Sequence, residues 1–136
     1  MRQVNKIIVH CTATPEGRDV SVDTIRNWHI EDNGWSDIGY HWVITLGGEI
    51  EKGRHETKPG AHAKGHNANS IGVVYVGGCD KDMNPKDTRN DAQKESLRCL
   101  LEDLRERYPQ AVIIGHRDVS SKACPSFDAK NEYSSI

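Results

Sequence analysis

Two spacings of apolar residues take turns along the chain. Residues 6–11 carry the continuous run Ile7-Ile8-Val9, residues 40–46 form a second run, and Gly47-Gly48 then turn the chain into a short third strand around Ile50. The β-branched runs at 71–76 and 111–114 are also of strand length. At Ser21, which reads as an N-cap, the spacing changes: Val22, Ile25 and Trp28 or His29 fall on one side of a helix that Gly34 stops. A longer helix is expected from about 90 to 108, where Leu97, Leu100, Leu101, Leu104 and Tyr108 recur at three- and four-residue steps before Pro109. Strands interleaved with helices, one strand pair being a hairpin, predict an α/β fold with a central mixed sheet flanked by helices.

A chain of 136 residues without a repeat or a Pro/Ser-rich linker is expected to be a single domain spanning 1–136. Eighteen basic and twenty acidic residues are scattered along it, so no basic arm or stripe points to nucleic acid. The first apolar run is too short for a signal peptide or a membrane span, and synthesis in the cytoplasm follows as the expectation. Cys11, Cys79, Cys99 and Cys124 lack the density and spacing of a disulfide framework and read as free thiols, one of them available for chemistry.

Seven histidines are many for this length, and position separates them. His10 ends the first strand and His116 follows the run at 111–114, so both stand at carboxyl ends of apolar strands, where open α/β sheets bind ligands. If those strands are neighbours, the two imidazoles converge. Cys124, eight residues after His116, can fold back to add a thiolate. Two histidines and a cysteine leave the fourth tetrahedral position of Zn²⁺ open, the arrangement of a catalytic rather than a structural zinc. The spacing alone favours the plainer reading, two hydrogen-bonded histidines beside an inert thiol.

Four blocks then appear in one order: Val9-His10-Cys11-Thr12-Ala13-Thr14; Gly34-Trp35-Ser36-Asp37-Ile38-Gly39-Tyr40-His41-Trp42; Gly60-Ala61-His62 with Gly65-His66-Asn67-Ala68-Asn69-Ser70-Ile71-Gly72; and Gly115-His116-Arg117-Asp118 with Lys122-Ala123-Cys124-Pro125. Together, over roughly residues 6–128, they resemble the type 2 zinc N-acetylmuramoyl-L-alanine amidases, the family of the phage amidase lysozymes and the animal peptidoglycan recognition proteins. The resemblance implies one Zn²⁺ per chain, held at the base of a substrate groove by His10, His116 and Cys124. It makes Tyr40 and Lys122 catalytic and places His62 and Asn67 on the groove as substrate-binding residues. The implied reaction is hydrolysis of the amide between N-acetylmuramic acid and L-alanine in peptidoglycan, in the manner of a phage or prophage lysis enzyme acting on the bacterial cell wall. Peptidoglycan or muropeptides are the expected partner and a monomer the expected state, with no room for a separate wall-binding module.

The alternative is a non-catalytic muropeptide-binding recognition protein with a structural zinc, which the retained Cys124, Tyr40 and Lys122 disfavour; a zinc enzyme acting on an unrelated amide is a third reading. Two departures, Ser120-Ser121 without a proline and His55 where proline is frequent, bear on loop shape rather than on the reaction. Trp28, Trp35 and Trp42 read as core or groove-wall packing, His29 and His41 as structural or surface residues, and His66 as facing the groove or solvent. Cys11, expected to point away from His10, reads with Cys79 and Cys99 as an unremarkable thiol.

Overall fold

In the computed structural model, which describes residues 2–136, the chain runs β1 (Lys6–Cys11), β2 (Thr14–Pro15), α1 (Val22–Asn27), β3 (Trp42–Ile44), β4 (Ile50–Lys52), β5 (Ser70–Tyr75), β6 (Gly78–Cys79), α2 (Asp91–Arg107), β7 (Val112–Gly115) and α3 (Ala129–Glu132). The main sheet has the order β4-β3-β5-β1-β7. Only the β3–β4 hairpin is antiparallel; β3–β5, β5–β1 and β1–β7 are parallel, so the sheet is mixed as expected. The apolar β1 lies inside the sheet, where a strand buried on both faces requires no polar alternation.

Side chains alternate across that sheet and sort into two cores. Ile7, Val9, Ile71, Val73 and Ile113 face α2 and bury Leu97, Leu100, Leu101 and Leu104. The opposite face carries Val74, Val43 and Val76 against Ile25 of α1, together with Val20 and Ile38. Ile8 and Ile114 pack there on Ala63. His10 shares the face of Ile8, on the side covered by loops as well as by α1. The helix signals hold closely. Ser21 accepts the Thr24 N–H at 3.1 Å, a π-helical turn (Trp28–Asp32) extends α1, and α2 starts with a reciprocal capping box between Asn90 and Gln93.

The strand expected over 40–46 is shorter. His41 N–H still bonds the Gly72 carbonyl, but two residues earlier the chain meets the loop at Ala61, whose N–H donates to the Gly39 carbonyl at 3.0 Å. Tyr40 lies just before the strand, its carbonyl accepting the Arg54 N–H at 2.8 Å. Among the described residues no helix is long and apolar enough to cross a membrane.

The carboxyl-terminal segment is held by one buried cation. The Arg89 side chain is 1 % exposed and pairs with Asp87 at 2.9 Å and Glu132 at 2.8 Å. It donates to the Tyr133 hydroxyl and lies 3.4 Å from the Phe127 ring centroid. Arg89 is the main cause holding the Glu132 carboxyl below its usual range, and it does the same for Asp87 against the opposing effect of burial. Both carboxylates reach solvent, so Arg89→Met is expected to cost about 2–3 kcal/mol rather than the full value of a buried pair. Because the folded pKa values are depressed, that contribution is present above the unfolded values near ~4 and is lost as pH falls through the folded ones. Urea denaturation should therefore show the variant well below wild type at neutral pH and the gap closing in acid; a gap independent of pH would assign the effect to packing on Phe127 alone.

Candidate active site

The register of β1 on β7 pairs Val9 with Gly115, so the next residues in line are His10 and His116. Their ring centroids are 4.5 Å apart. After β7 the chain makes one 3-10 turn (His116–Asp118), fixed by the Gly115 N–H donating to Asp118 Oδ2 at 2.8 Å. The Arg117 N–H then donates to the Cys124 carbonyl at 2.7 Å, closing the loop. Beyond it, the Tyr75 hydroxyl donates to the Pro125 carbonyl at 2.6 Å and Ser126 Oγ to the Gly78 carbonyl at 2.8 Å. These bonds set Cys124 Sγ 3.8 Å from His10 Nδ1, where it also accepts the Cys11 N–H at 3.2 Å.

Ligand atoms of His10, His116 and Cys124 all lie within 4.8 Å of one another. A nitrogen and a sulfur bound to one tetrahedral Zn²⁺ at about 2.0 and 2.3 Å are ~3.5 Å apart, near the 3.8 Å between His10 Nδ1 and Cys124 Sγ. Two imidazoles and a thiol are also the borderline-soft donor set that zinc prefers. The residues present fit the ion.

Charge in the pocket favours neutral ligands. Burial, reinforced by His62, His116 and Lys122, holds the His10 pKa well below its ordinary value. His116 is lowered by burial and by Lys122. Contact with the Cys11 thiol and burial push the Cys124 pKa up, and a bound cation would favour its thiolate. Burial raises the Tyr40 hydroxyl above its ordinary value and keeps it a proton donor.

Tyr40 lies against His10, with ring centroids 5.1 Å apart. A cavity of about 300 Å³ is lined by His10, Tyr40, His116, Lys122 and Cys124. A second of about 470 Å³ shares Trp35, Ala61, His62, His116 and Lys122 with it and continues past Asn67 and Val119. The two form one groove with the His–His–Cys cluster at its floor and the exposed Lys122 on its wall. All seven residues singled out in the sequence border this groove.

His62 and Asn67 also have internal partners. His62 is buried, and its Nδ1 faces His10 Nε2 at 2.8 Å. Asn67 Oδ1 accepts the N–H groups of His62 and Ala63 at 2.9 and 3.0 Å, shaping the loop that carries His62.

Several contributors were not legible in the sequence. The Cys11 side chain does leave the His10 face as expected, and its thiol lies beside Cys124. Adjacency to His10 was its only signal. Arg54 ties the segment before Tyr40, donating to the Ile38 and Pro59 carbonyls at 2.9 Å each. His29 accepts the Gly39 N–H at 2.8 Å and also borders the cavity. His41 is structural as expected, fully buried and accepting the Gly72 N–H at 2.9 Å.

Comparison with known proteins identifies the family of the chain. Residues 1–127 match the sequence profile of the family described as N-acetylmuramoyl-L-alanine amidase. The chain is 46 % identical over 129 residues to the endolysin of Klebsiella phage KP32, covering 95 % of this chain and 85 % of that one. It is 48 % identical over 124 residues to the endolysin of Escherichia phage T7, covering 91 % and 82 %. Among solved structures, N-acetylmuramoyl-L-alanine amidase LysC from Clostridium intestinale superposes with a TM-score of 0.81 at 29 % identity, over 97 % of this chain and 83 % of that one.

Proposed function

From the premise that the chain belongs to the N-acetylmuramoyl-L-alanine amidase family and hydrolyses the amide between N-acetylmuramic acid and L-alanine in peptidoglycan, we propose that it does so with one Zn²⁺ held by His10, His116 and Cys124. The observation that carries this reading is the convergence of those three donors at the floor of an open groove. Three protein ligands with the remaining side facing a cavity suit a catalytic zinc better than the closed site of a structural one. When bound, the ion supplies Lewis-acid activation of the scissile carbonyl and of the attacking water.

The side chains do the rest. As the carbonyl oxygen gains negative charge, the Lys122 ammonium on the groove wall stabilises it, and the Tyr40 O–H donates to it. The raised pKa of Tyr40 keeps that proton in place through the working pH range. Trp35, Ala61 and Val119 give the groove apolar walls that exclude water and orient the sugar and stem peptide. His62 and Asn67 shape its floor. The bacterial cell wall is the site of action that this reading assigns, in keeping with the phage endolysins among its relatives.

Digestion of purified peptidoglycan tests both the bond and the metal. The expected products are stem peptides with a free L-alanine amine and uncut glycan strands, because a zinc centre attacks a carbonyl whereas glycosidases use paired carboxylates. Protein dialysed against a strong chelator should lose this activity and regain it with about one equivalent of zinc. New reducing sugar ends without new amines would refute the bond assignment, and full activity in metal-free protein would refute the zinc.

A further inference from the structure

The buried polar contacts behind His10 form a line that runs away from the groove. His10 Nε2 faces His62 Nδ1 at 2.8 Å, His62 Nε2 faces Ser70 Oγ at 3.2 Å, and Ser70 Oγ lies 2.7 Å from the His66 carbonyl. His10 and Ser70 are almost fully buried and His62 is 8 % exposed, so water does not complete the set. Each contact has room for one proton, and the carbonyl end decides where they go. The His66 oxygen can only accept, so the single Ser70 hydroxyl proton points to it. Ser70 Oγ must then accept from His62, which places the His62 proton on Nε2 and leaves its Nδ1 bare. That bare nitrogen accepts from His10, whose proton is thereby on Nε2. The remaining His10 nitrogen, Nδ1, keeps its lone pair, and it is the atom 3.8 Å from Cys124 Sγ.

We infer that His62 is a positioning residue: with Ser70 and the His66 carbonyl it fixes the tautomer and ring orientation of His10, so that the Nδ1 lone pair is directed to the metal site before the metal arrives. The inference rests on the zinc reading of the site and deepens it, giving His62 a role through His10 beyond any contact with substrate. The packing supports the assignment. A Cβ on Gly72 would lie 2.6 Å from the His62 ring, and one on Gly60 would lie 2.6 Å from its Cδ2. Glycines at both places leave a slot that admits the imidazole in one plane. Asn67 holds the His62 backbone in register with it. Partners of this kind behind a metal-ligating histidine contribute about 10- to 100-fold in metal affinity.

The protein without metal offers a direct test. Long-range proton–nitrogen correlation NMR of the metal-free wild type should show both His10 and His62 with the proton on Nε2. Zinc affinity, measured by competition with a chromogenic chelator, should fall about 10- to 100-fold in His62→Leu, which fills the slot but cannot accept from His10. His62→Asn, whose side-chain oxygen replaces the lost acceptor near the Nδ1 position, should recover most of that loss. Melting temperatures identify a variant that has failed to fold, and in that event the wild-type tautomer and the Asn variant still decide. Cobalt-substituted His62→Leu should retain the cysteine-to-metal charge-transfer band, since all three ligands remain. A His10 proton found on Nδ1 overturns the inference. So does a folded His62→Leu that binds zinc as tightly as wild type and changes only KM. Wild type that shows the Nε2 tautomers yet binds no zinc defeats the zinc reading instead, leaving the proton order intact.

Discussion

Cys124→Ala, purified without added metal, is expected to carry far less than one zinc per chain and to release stem peptide from peptidoglycan at background rate. The cause is the loss of one of three ligands, and of the only anionic one, from a site where the two imidazoles are neutral. The fold should suffer less. Cys124 is half-buried, while the loop that carries it is closed by backbone atoms, Arg117 N–H to Cys124 carbonyl and Tyr75 hydroxyl to Pro125 carbonyl. Metal content by atomic absorption and melting temperature therefore separate a metal defect from a folding defect. Cys11→Ala provides the comparison: its backbone N–H still reaches Cys124 Sγ, so zinc content should be retained. A Cys124→Ala protein with full zinc and full activity would remove that residue from the site.

Lys122→Ala and Tyr40→Phe are expected to keep zinc and fold while losing on the order of 10²- to 10³-fold in kcat each, the usual consequence of deleting one donor to a developing oxyanion. KM should change less, because both interactions strengthen only as charge accumulates in the transition state. Lys122 is exposed on the groove wall, so its removal leaves no cavity. Tyr40→Phe preserves the ring that packs beside His10. Single-turnover rates on a defined muropeptide, with zinc content measured on the same samples, distinguish this from surface changes worth less than about 0.5 kcal/mol. Wild-type turnover in both variants would end the proposed division of labour.

The amount of this that could be read from the chain differs by element. α2 was plain because its leucine stripe and Pro109 are local signals, and local backbone geometry answers to them; the Asn90–Gln93 capping box that starts it emerged from the structure. The strands at 6–11, 71–76 and 111–114 were legible as apolar runs, with ends within about a residue of those found. The strand at 40–46 was over-extended at both ends: the turn closed by Gly48 N–H on the Thr45 carbonyl ends it early, and the bond from Ala61 to Gly39 just before it comes from twenty-two residues downstream and leaves no mark on the local pattern.

For the site, the sequence by itself determined the inventory: two histidines at the carboxyl ends of apolar strands, a cysteine in the loop after the second, a tyrosine and a lysine in recognisable blocks, and hence a family. Those are properties of residue type and order. Tertiary structure decided what each donor faces. Strand order made β1 and β7 neighbours and set His10 beside His116; had another strand stood between them, the same residues could not have shared an ion. It also decided that Cys11 lies against Cys124 and that His62 turns its Nδ1 to His10. Such contacts join residues separated by 52 to 113 positions. At that separation neither periodicity nor propensity carries information, because the pairing is selected by the burial of two distant surfaces together rather than by the local conformation of either.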